Sequence, residues 1–362
     1  MAAGDTERAL IAAVLAAPDD IGARRVLGDY WLERGNPRGE LVQVQCDLED
    51  LAPDDPRHAT LTARASALLA KHGTQWAGAL HGLAARLVWR RGFVEGVTCT
   101  ALQFATKGAD MVALAPVRTL IVNGTIRVAD MAKLMATPAL AQIRSLELKQ
   151  AKALGKKHVE ALAAAPVIAR LERLALTSCY IGDAGAKALA SSPHLGALLE
   201  LDVSWGAIEP PGAEALAASH GFGSLRRLRL AANSFSARGA HPIVTVPSAF
   251  PQLRELDLTA TALGRQGGEI VAKSTARAGL VDLRLRTCQL DDAVARSLAA
   301  AAHHRALEVL DLEDNPISDA GARAFLETKL PRLRALGLSQ LSESTAAALA
   351  AKFPHRGRLA AP

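Results

Sequence analysis

The residue types that could bind a metal or act as nucleophiles are few and far apart in this sequence. The cysteines form no C-x-x-C pair, and they are Cys46, Cys99, Cys179 and Cys288. The adjacent His303 and His304 have no further ligand at the spacing of a zinc site, and we expect them to lie at a solvated helix end. Neither a phosphate-binding glycine loop nor a nucleophile elbow occurs. We therefore predict a non-enzymatic protein that uses no cofactor or metal.

Charged residues, in contrast, recur at a near-constant interval and predict a binding surface. One series alternates in sign at steps of 27 or 28 residues: Asp202, Arg229, Asp257, Arg284 and Asp311. A second series stands two positions earlier: Arg173, Glu200, Arg227, Glu255 and Asp282. On adjacent strands about 4.8 Å apart, opposite charges would stabilise strand stacking by roughly 0.2–1 kcal/mol each. Such an alternation neutralises itself, and it also offers a pre-ordered polar surface to a protein partner.

Three further residues extend this candidate surface beyond the two series. Arg286 and Glu313 stand two positions after Arg284 and Asp311. Trp205 stands seven positions after Leu198, and we consider two roles for it. An exposed tryptophan would anchor a partner, because aromatic residues dominate many interfaces, whereas a buried one would belong to the core.

The elements that must position these residues are repeated segments rich in leucine. Residues 307–325 read L-x-x-L-x-L-x-x-N-x-I and continue with Gly321 and Phe325, which is the pattern of a leucine-rich repeat. Comparable segments start every 26 to 28 residues, at Val117, Ile143, Leu171, Leu198, Leu225, Leu253, Leu280, Leu307 and Leu333. Each segment predicts a short strand followed by a helix. Only stacked repeats can bury the apolar faces of such units.

Two positions within the repeat predict how its turn and its helix are built. Eight residues after the start we expect side chains that bond to backbone groups of the turn: Cys179, Asn233, Thr261, Cys288 and Asn315. Gly206 stands there in one repeat, so that turn needs water or another donor. Fourteen residues after the start, a glycine such as Gly212 or Gly321 is expected to let the helix approach the sheet closely.

The 27–28-residue period, with a full helix opposite each strand, resembles the ribonuclease-inhibitor class of leucine-rich repeats over residues 117–350. The resemblance implies an α/β solenoid of horseshoe shape, with a parallel inner sheet and outer helices. It also implies a protein partner, of unknown identity, on the concave face. The class is similar to that of Ran GTPase-activating proteins, which implies an alternative role as a regulator of a GTPase or other enzyme. Arg229 and Asn233 are the candidate contacts for that role.

The N-terminal 73 residues predict a small α-helical module instead of repeats. Helical patterns cover residues 5–17, 21–34, 37–48 and 58–72, and Gly73 is expected to end the last helix. Residues 28–35, Gly-Asp-Tyr-Trp-Leu-Glu-Arg-Gly, resemble the core of the repeat-companion domain that precedes repeats in myxobacterial and planctomycete proteins. This resemblance implies a bacterial origin but no activity. We expect residues 74–116 to form a junction with two strands around Arg90, residues 117–350 to form the solenoid, and residues 351–362 to form a tail.

The distribution of charge leaves RNA binding as a second alternative. The net charge of +6 divides into −6 for residues 1–60, which hold 12 acidic and 6 basic residues, and +12 for the remainder. A basic rim could contact RNA phosphates, and it comprises Arg86, Arg90, Arg91, Lys156 and Lys157. The alternating signs of the candidate surface and an aromatic content of 4% argue against a nucleic-acid partner.

The sequence pattern also predicts where the protein resides. No apolar run approaches the roughly 18 residues of a membrane span, and the N-terminal residues lack the basic and apolar pattern of a signal peptide. Cysteines without close spacing are typical of reduced thiols. We therefore predict a cytoplasmic protein without a membrane partner.

Overall fold

The structure opens with a set of helices. The computed structural model describes residues 3–52, 55–149 and 154–354, which belong to two compact units. The first unit takes in residues up to 123 together with 136–145, and the second takes in 124–135 and the residues from 146 onward. Four helices begin the first unit: α1 (Ala3–Ala16), α2 (Ile21–Leu32), α3 (Arg38–Asp50) and α4 (Arg57–Ala77).

The last of these helices is longer than the sequence predicted. We expected Gly73 to end α4, but the helix continues to Ala77 and ends at Gly78, whose φ is +52°. A glycine inside a helix costs only about 1 kcal/mol relative to alanine. The added turn places Trp76 against Trp89, with ring centroids 6.4 Å apart. This packing explains why the helix passes through the glycine.

The first unit continues with strands and one more helix. In chain order these are a 3-10 helix (Gly78–Gly82), β1 (Arg86–Arg90), β2 (Phe93–Cys99), α5 (Ala101–Leu114), β3 (Thr119–Val122) and a second 3-10 helix (Pro138–Gln142). β1 and β2 form an antiparallel hairpin. Arg91 and Gly92 turn it with φ values of +50° and +79°, and two-residue hairpin turns favour such positive values. The two strands expected around Arg90 are therefore present.

A buried ion cluster ties α2 to this hairpin. The Arg24 guanidinium is fully buried and lies 2.9 Å from the Glu95 carboxylate. Arg91 donates two hydrogen bonds to the same carboxylate, at 2.9 and 2.7 Å. Burial lowers the pKa of Arg24. Burial is also the largest single effect on Arg91, but the hydrogen bonds to Glu95 and the charges of Glu95, Glu49 and Asp19 together outweigh it and raise the pKa of Arg91. Loss of Glu95 would leave Arg24 buried without an ion-pair partner and would leave Arg91 with only the Glu49 carboxylate, at 3.8 Å, so the cluster is structural.

The second unit alternates short strands with helices. Its strands are β4 (Ser145–Leu148), β5 (Arg173–Ala175), β6 (Glu200–Asp202), β7 (Arg227–Arg229), β8 (Glu255–Asp257), β9 (Asp282–Arg284), β10 (Val309–Asp311) and β11 (Ala335–Gly337). Its helices are α6 (Val128–Met135), α7 (Lys156–Ala163), α8 (Gly182–Ala190), α9 (Pro210–Ala217), α10 (Ser236–Thr245), α11 (Gly264–Lys273), α12 (Asp292–Ala299), α13 (Asp319–Ala322) and α14 (Glu343–Lys352). Three 3-10 helices accompany them: Pro166–Ile168, Thr275–Arg277 and Arg323–Glu327.

The strands of the described residues form one 11-stranded sheet, in chain order from β1 to β11. β2 pairs in parallel with β3, and each strand from β5 to β10 pairs in parallel with the strand that follows it. The central leucines of neighbouring strands are in register: Leu174, Leu201, Leu228, Leu256, Leu283, Leu310 and Leu336. They are at most 3% exposed, and neighbouring helices contact each other from α6 to α13. A parallel sheet with flanking helices is therefore present, as predicted.

Glycines at the start of two helices make room for a carboxylate of the preceding repeat. Asp183 accepts hydrogen bonds from the backbone N–H groups of Glu209 and Gly212, at 2.9 and 3.1 Å. A Cβ at Gly212 would lie 2.4 Å from the Asp183 Oδ1 atom, and one at Gly321 would lie 2.4 Å from the Asp292 Oδ1 atom. We expected these glycines to let their own helix approach the sheet closely. Instead, the missing side chain leaves room for an aspartate of the neighbouring helix.

Candidate binding surface

The two series of charged residues lie side by side on the sheet of the second unit. Backbone pairing aligns Arg173, Glu200, Arg227, Glu255 and Asp282 in a first row, and Asp202, Arg229, Asp257, Arg284 and Asp311 in a second row. These residues alternate along each strand with the buried leucines, so their side chains face away from the core. We call the two rows the charged face.

Glu200 is the centre of an ion-pair network on the charged face. Its carboxylate lies 3.2 Å from the Arg173 guanidinium, 2.9 Å from that of Arg227 and 2.8 Å from that of Arg229. Arg227 also binds Glu255, with one hydrogen bond of 2.7 Å, and this pairing raises the pKa of Arg227. Because the Glu200 side chain is only 12% exposed, water screens the network weakly. The network therefore holds three arginines in fixed orientations.

The aspartates of the second row bind backbone groups and not arginines. Each carboxylate accepts a hydrogen bond of 2.9 to 3.0 Å from the N–H two residues later, and the pairs are Asp202 with Ser204, Asp257 with Thr259 and Asp311 with Glu313. Arg229 pairs with Glu200 in the first row, and Arg284 pairs with Asp282 on its own strand. We expected opposite charges to pair along the second row. Its aspartates instead accept hydrogen bonds from backbone N–H groups where their strands end, so its arginines pair with carboxylates of the first row.

The far end of the charged face is also internally neutralised. Arg286 lies 3.0 Å from the Glu313 carboxylate and donates a hydrogen bond of 2.8 Å to Asp314, and this bond raises the pKa of Arg286. Burial raises the pKa of two carboxyl groups nearby, those of Asp282 and Asp311. Each arginine of the face has a carboxylate neighbour, so the face presents ion pairs rather than free charges.

Trp205 lies beside the charged face, where the chain leaves β6, and it is 57% exposed. Its backbone is left-handed, with a φ of +56°. Tyr180 lies in the turn of the preceding repeat, with an exposure of 53% and a φ of +50°. The Ser178 N–H donates a hydrogen bond to the Ser204 carbonyl at 2.9 Å, which joins the two turns. We call Trp205 and Tyr180 the aromatic rim. Sequence reasoning left the exposure of Trp205 open and did not single out Tyr180.

Two buried asparagines close the turns of neighbouring repeats. The Asn233 Oδ1 atom accepts hydrogen bonds from the N–H groups of Gly206 and Ile208, at 3.1 and 3.0 Å, and its Nδ2 group donates to the Leu230 carbonyl at 2.8 Å. The turn at Gly206 thus obtains its side-chain partner from the next repeat. Asn315 makes the equivalent bonds around Cys288.

The equivalent cysteines and threonine are hydrogen-bond donors within the turns. The Cys179 thiol donates to the Leu148 carbonyl at 3.3 Å, and the Cys288 thiol donates to the Leu258 carbonyl at 3.0 Å. The Thr261 hydroxyl donates to the same Leu258 carbonyl at 2.6 Å. Burial raises the pKa of Cys288, which disfavours the reactive thiolate. These side chains are buried and have no access to a partner.

Comparison with protein families identifies the repeated unit. Three segments match the family model of the leucine-rich repeat, at residues 171–190, 198–217 and 303–326. The chain contains leucine-rich repeats. Two of the matched segments begin at starts predicted from the sequence, Leu171 and Leu198. A search of the curated proteins gives no match.

Two solved structures are similar to part of this chain. The crystal structure of the TLR13–ssRNA13 complex matches with a TM-score of 0.41 and 19% identity, over 65% of this chain and 35% of that chain. An internalin from Listeria monocytogenes matches with a TM-score of 0.42 and 17% identity, over 68% of this chain and 67% of that chain. The predicted fold class, a leucine-rich-repeat solenoid preceded by a small α-helical module, is confirmed by the repeat matches together with the sheet.

The histidine pair of the leucine-rich repeats lies in a different setting from the one expected. His304 is only 1% exposed, and its Nε2 atom lies 3.3 Å from the Val271 carbonyl. Burial and the neighbouring His303 lower the pKa of His304. The pair therefore lies in a turn between repeats and not at a solvated helix end. Residues 3–52, 55–149 and 154–354 contain no group of His, Cys, Asp and Glu that could hold a metal ion, and no helix there could cross a membrane.

Three candidate contacts of the alternative functions are already engaged within the protein. Arg91 is 8% exposed and binds Glu95, and Arg90 pairs with Glu49, so much of the basic rim considered for RNA is neutralised. Asn233 is 3% exposed and cannot reach a GTPase. Both roles therefore lose residues that the sequence suggested for them.

Sequence reasoning missed a second ladder of hydrogen bonds on the helix side of the repeats. Four hydroxyl groups, each 21 residues after a repeat start, donate to a carbonyl of the preceding repeat: Ser192 to Ala163, Ser219 to Ala190, Ser274 to Val244 and Thr328 to Ala299. Ser192 and Ser219 are 27 residues apart, so the repeat interval was the available signal. Arg277 adds to this ladder in the same repeat as Ser274: its buried guanidinium donates to the Ile243 and Val246 carbonyls of the preceding repeat, and burial lowers its pKa to about 10.

Proposed function

We propose that this chain is a non-enzymatic scaffold that binds a protein partner on the charged face and anchors it on the aromatic rim. The observation that carries the proposal is the exposure of Trp205, 57%, beside a face whose arginines are held by carboxylates. Buried aromatic anchors supply much of the affinity of protein interfaces. Ion pairs that are already in place reduce the ordering cost of binding.

We further propose the finer classification that the sequence suggests. The 27-residue steps between repeats support the ribonuclease-inhibitor-like class, and the four N-terminal helices support a repeat-companion module of bacterial origin. Cys46, Cys99 and Cys288 are free and buried, which supports a cytoplasmic location. A regulator of a GTPase would bind through the same charged face, with Arg229 as its remaining candidate contact.

Affinity capture with a matched pair of variants tests the proposed function. The tagged chain, its Trp205→Ala variant and its Leu114→Ala variant are used as baits in extract of the source organism. Leu114 lies on α5 and is 50% exposed, so it controls for the loss of an exposed apolar side chain elsewhere. Proteins captured by the parent chain are quantified by mass spectrometry for each bait.

The proposal predicts a specific loss of partners. At least one protein should bind the parent chain and the Leu114→Ala variant, and bind Trp205→Ala about tenfold less, which corresponds to about 1.4 kcal/mol. Circular dichroism should show the same fold for all three chains. Identical partner sets for the parent and Trp205→Ala would contradict the proposal, as would partners whose capture disappears after RNase treatment.

A further inference from the structure

The two end strands of the sheet differ in how they are covered. All three residues of β11 are buried, whereas none of the five residues of β1 is buried. Among the described residues β2 is the only strand that pairs with β1. In an antiparallel pair only alternate residues bond to the partner strand, so an end strand has N–H and C=O groups directed outward. The Trp89 carbonyl accepts a hydrogen bond from the Gln45 side chain at 3.3 Å, so the first part of β1, residues 86–88, is the sheet edge at which a further strand can be added.

A groove runs beside this edge. It has a volume of about 300 Å³, and its lining includes Leu69, Gly73 and Ala77 of α4 together with Ala85, Arg86 and Leu87. Successive residues of a strand point to opposite faces. Ala85, Leu87 and Trp89 share one face of the chain, and Arg86 between them also lines the groove, so the groove lies between α4 and this face and reaches the edge of the strand. Its α4 wall is apolar apart from Thr74 and can accept an aliphatic side chain.

The charge around the groove has a single sign. The sequence from Pro56 to Val94 contains no aspartate or glutamate, and this segment provides both walls of the groove. Arg86 and His81 line the groove and are exposed. Within the part of the chain that the structure describes, Arg86 has no carboxylate at ion-pair distance. A ligand with negative charge is therefore favoured beside Arg86.

We propose that β1 binds an extended acidic peptide segment of a partner protein, which adds to the sheet as a further strand. Backbone hydrogen bonds to β1 supply affinity, an aliphatic side chain enters the groove, and a carboxylate pairs with Arg86. An RNA strand fits less well, because its phosphates only accept hydrogen bonds, whereas a strand edge presents carbonyl groups that need the regularly spaced N–H donors of a peptide. Arg90 and Arg91 are, in addition, already paired with Glu49 and Glu95. This site is separate from the charged face, and the proposal does not depend on the function proposed above.

Peptide binding tests the strand addition directly. The probe is a short fluorescein-labelled peptide of alternating glutamate and valine, and its control has the same charge but proline in place of each valine. We expect fluorescence anisotropy to show that the valine peptide binds at least about tenfold more tightly, because proline cannot donate to a strand edge. Binding of the valine peptide should also slow hydrogen exchange of the amides of β1.

Two pairs of variants locate the site. Gly73→Leu should abolish binding, since a Cβ there meets only Leu69 atoms, at 3.8 Å, and the longer side chain would occupy the groove. Its control is Ala67→Leu, at an exposed position of the same helix. Arg86→Glu should weaken binding about tenfold, whereas Lys71→Glu, on α4 but outside the groove lining, should not. Circular dichroism verifies that each variant is folded.

Three results would overturn this proposal. The first is an absence of binding by the valine peptide. The second is equal binding of the proline peptide, or of a labelled oligo-dT strand, because charge alone would then explain the affinity. The third is unchanged binding by folded Gly73→Leu.

Discussion

Truncation of Asn315 should destabilise the repeats strongly, because this side chain satisfies backbone groups of two successive turns. Its Oδ1 atom accepts the N–H groups of Cys288 and Leu290, at 2.9 and 3.0 Å. Its Nδ2 group donates to the carbonyls of Leu285 and Leu312, at 2.8 and 2.9 Å. Asn315→Ala leaves two buried donors without acceptors, and each costs about 1–3 kcal/mol. We therefore expect a loss of about 2–6 kcal/mol in the free energy of unfolding.

The equivalent position two repeats earlier provides the matched variant. Thr261 occupies this position and donates a hydrogen bond to the Leu258 carbonyl at 2.6 Å. Asn315→Thr should keep the equivalent bond to Leu312 and lose the pair of bonds to Cys288 and Leu290. It should therefore recover only part of the stability that Asn315→Ala loses.

Urea unfolding and hydrogen exchange measure this effect together. Urea titration gives the global free energy, and exchange followed by mass spectrometry reports the amides of residues 288–290 separately. The local measurement is needed because repeat arrays do not always unfold in one step. The reasoning is refuted if Asn315→Ala changes the free energy by less than about 0.5 kcal/mol, or if protection at residues 288–290 persists.

Three further predictions concern packing, pH and thiol chemistry. Gly321→Ala should destabilise the chain by about 1–3 kcal/mol in urea titration, because its Cβ would meet the Asp292 carboxylate, whereas Gly223→Ala, whose Cβ meets nothing within 4 Å, should be neutral. Because burial lowers the pKa of His304, the unfolded chain protonates this residue first, so stability should fall as the pH drops from about 6.5 toward the lower folded value. His304→Gln should lose less stability over that interval, and equal losses would exclude His304 as the cause. A maleimide reagent should label none of the 4 cysteines in the folded chain and all of them in urea. The reason is that burial raises the pKa of the Cys46 and Cys288 thiols, and raises that of Cys99 to about 12. Rapid labelling of the folded chain would contradict this prediction.

The fold of the repeats was predictable because one physical requirement sets its spacing. Each repeat must place a leucine in the same layer as its neighbours, and the observed register pairs Leu201 with Leu228 and Leu228 with Leu256 as the 27- and 28-residue steps require. The end of α4 was not predictable from local signals. Gly73 is a helix-ending residue by sequence, but the contact between Trp76 and Trp89 that extends the helix joins residues from different elements.

The ion pairs of the charged face could not be derived from spacing alone. On a sheet, Arg229 has carboxylates beside it at Asp202 and Asp257 and diagonally at Glu200. Its choice of Glu200 depends on the backbone N–H groups that engage the two aspartates. These bonds arise from the path of the chain after each strand, which a pattern of residue types does not specify.

The turns of the repeats contain positions at which the fold restricts the type of side chain and positions at which it does not. Seven residues after the repeat start, the backbone is left-handed in each of seven repeats, with φ between +53° and +59°, at Ser178, Trp205, Ala232, Ala260, Thr287, Asp314 and Gln340. Two alanines among them establish that the turn needs no particular side chain there. One position later, five of the seven repeats carry a side chain that bonds to buried backbone groups, which restricts its type: Cys179, Asn233, Thr261, Cys288 and Asn315. Since the turn closes with alanine in two repeats, the fold does not require a tryptophan at position 205, and this is why the proposed binding function is tested with Trp205→Ala.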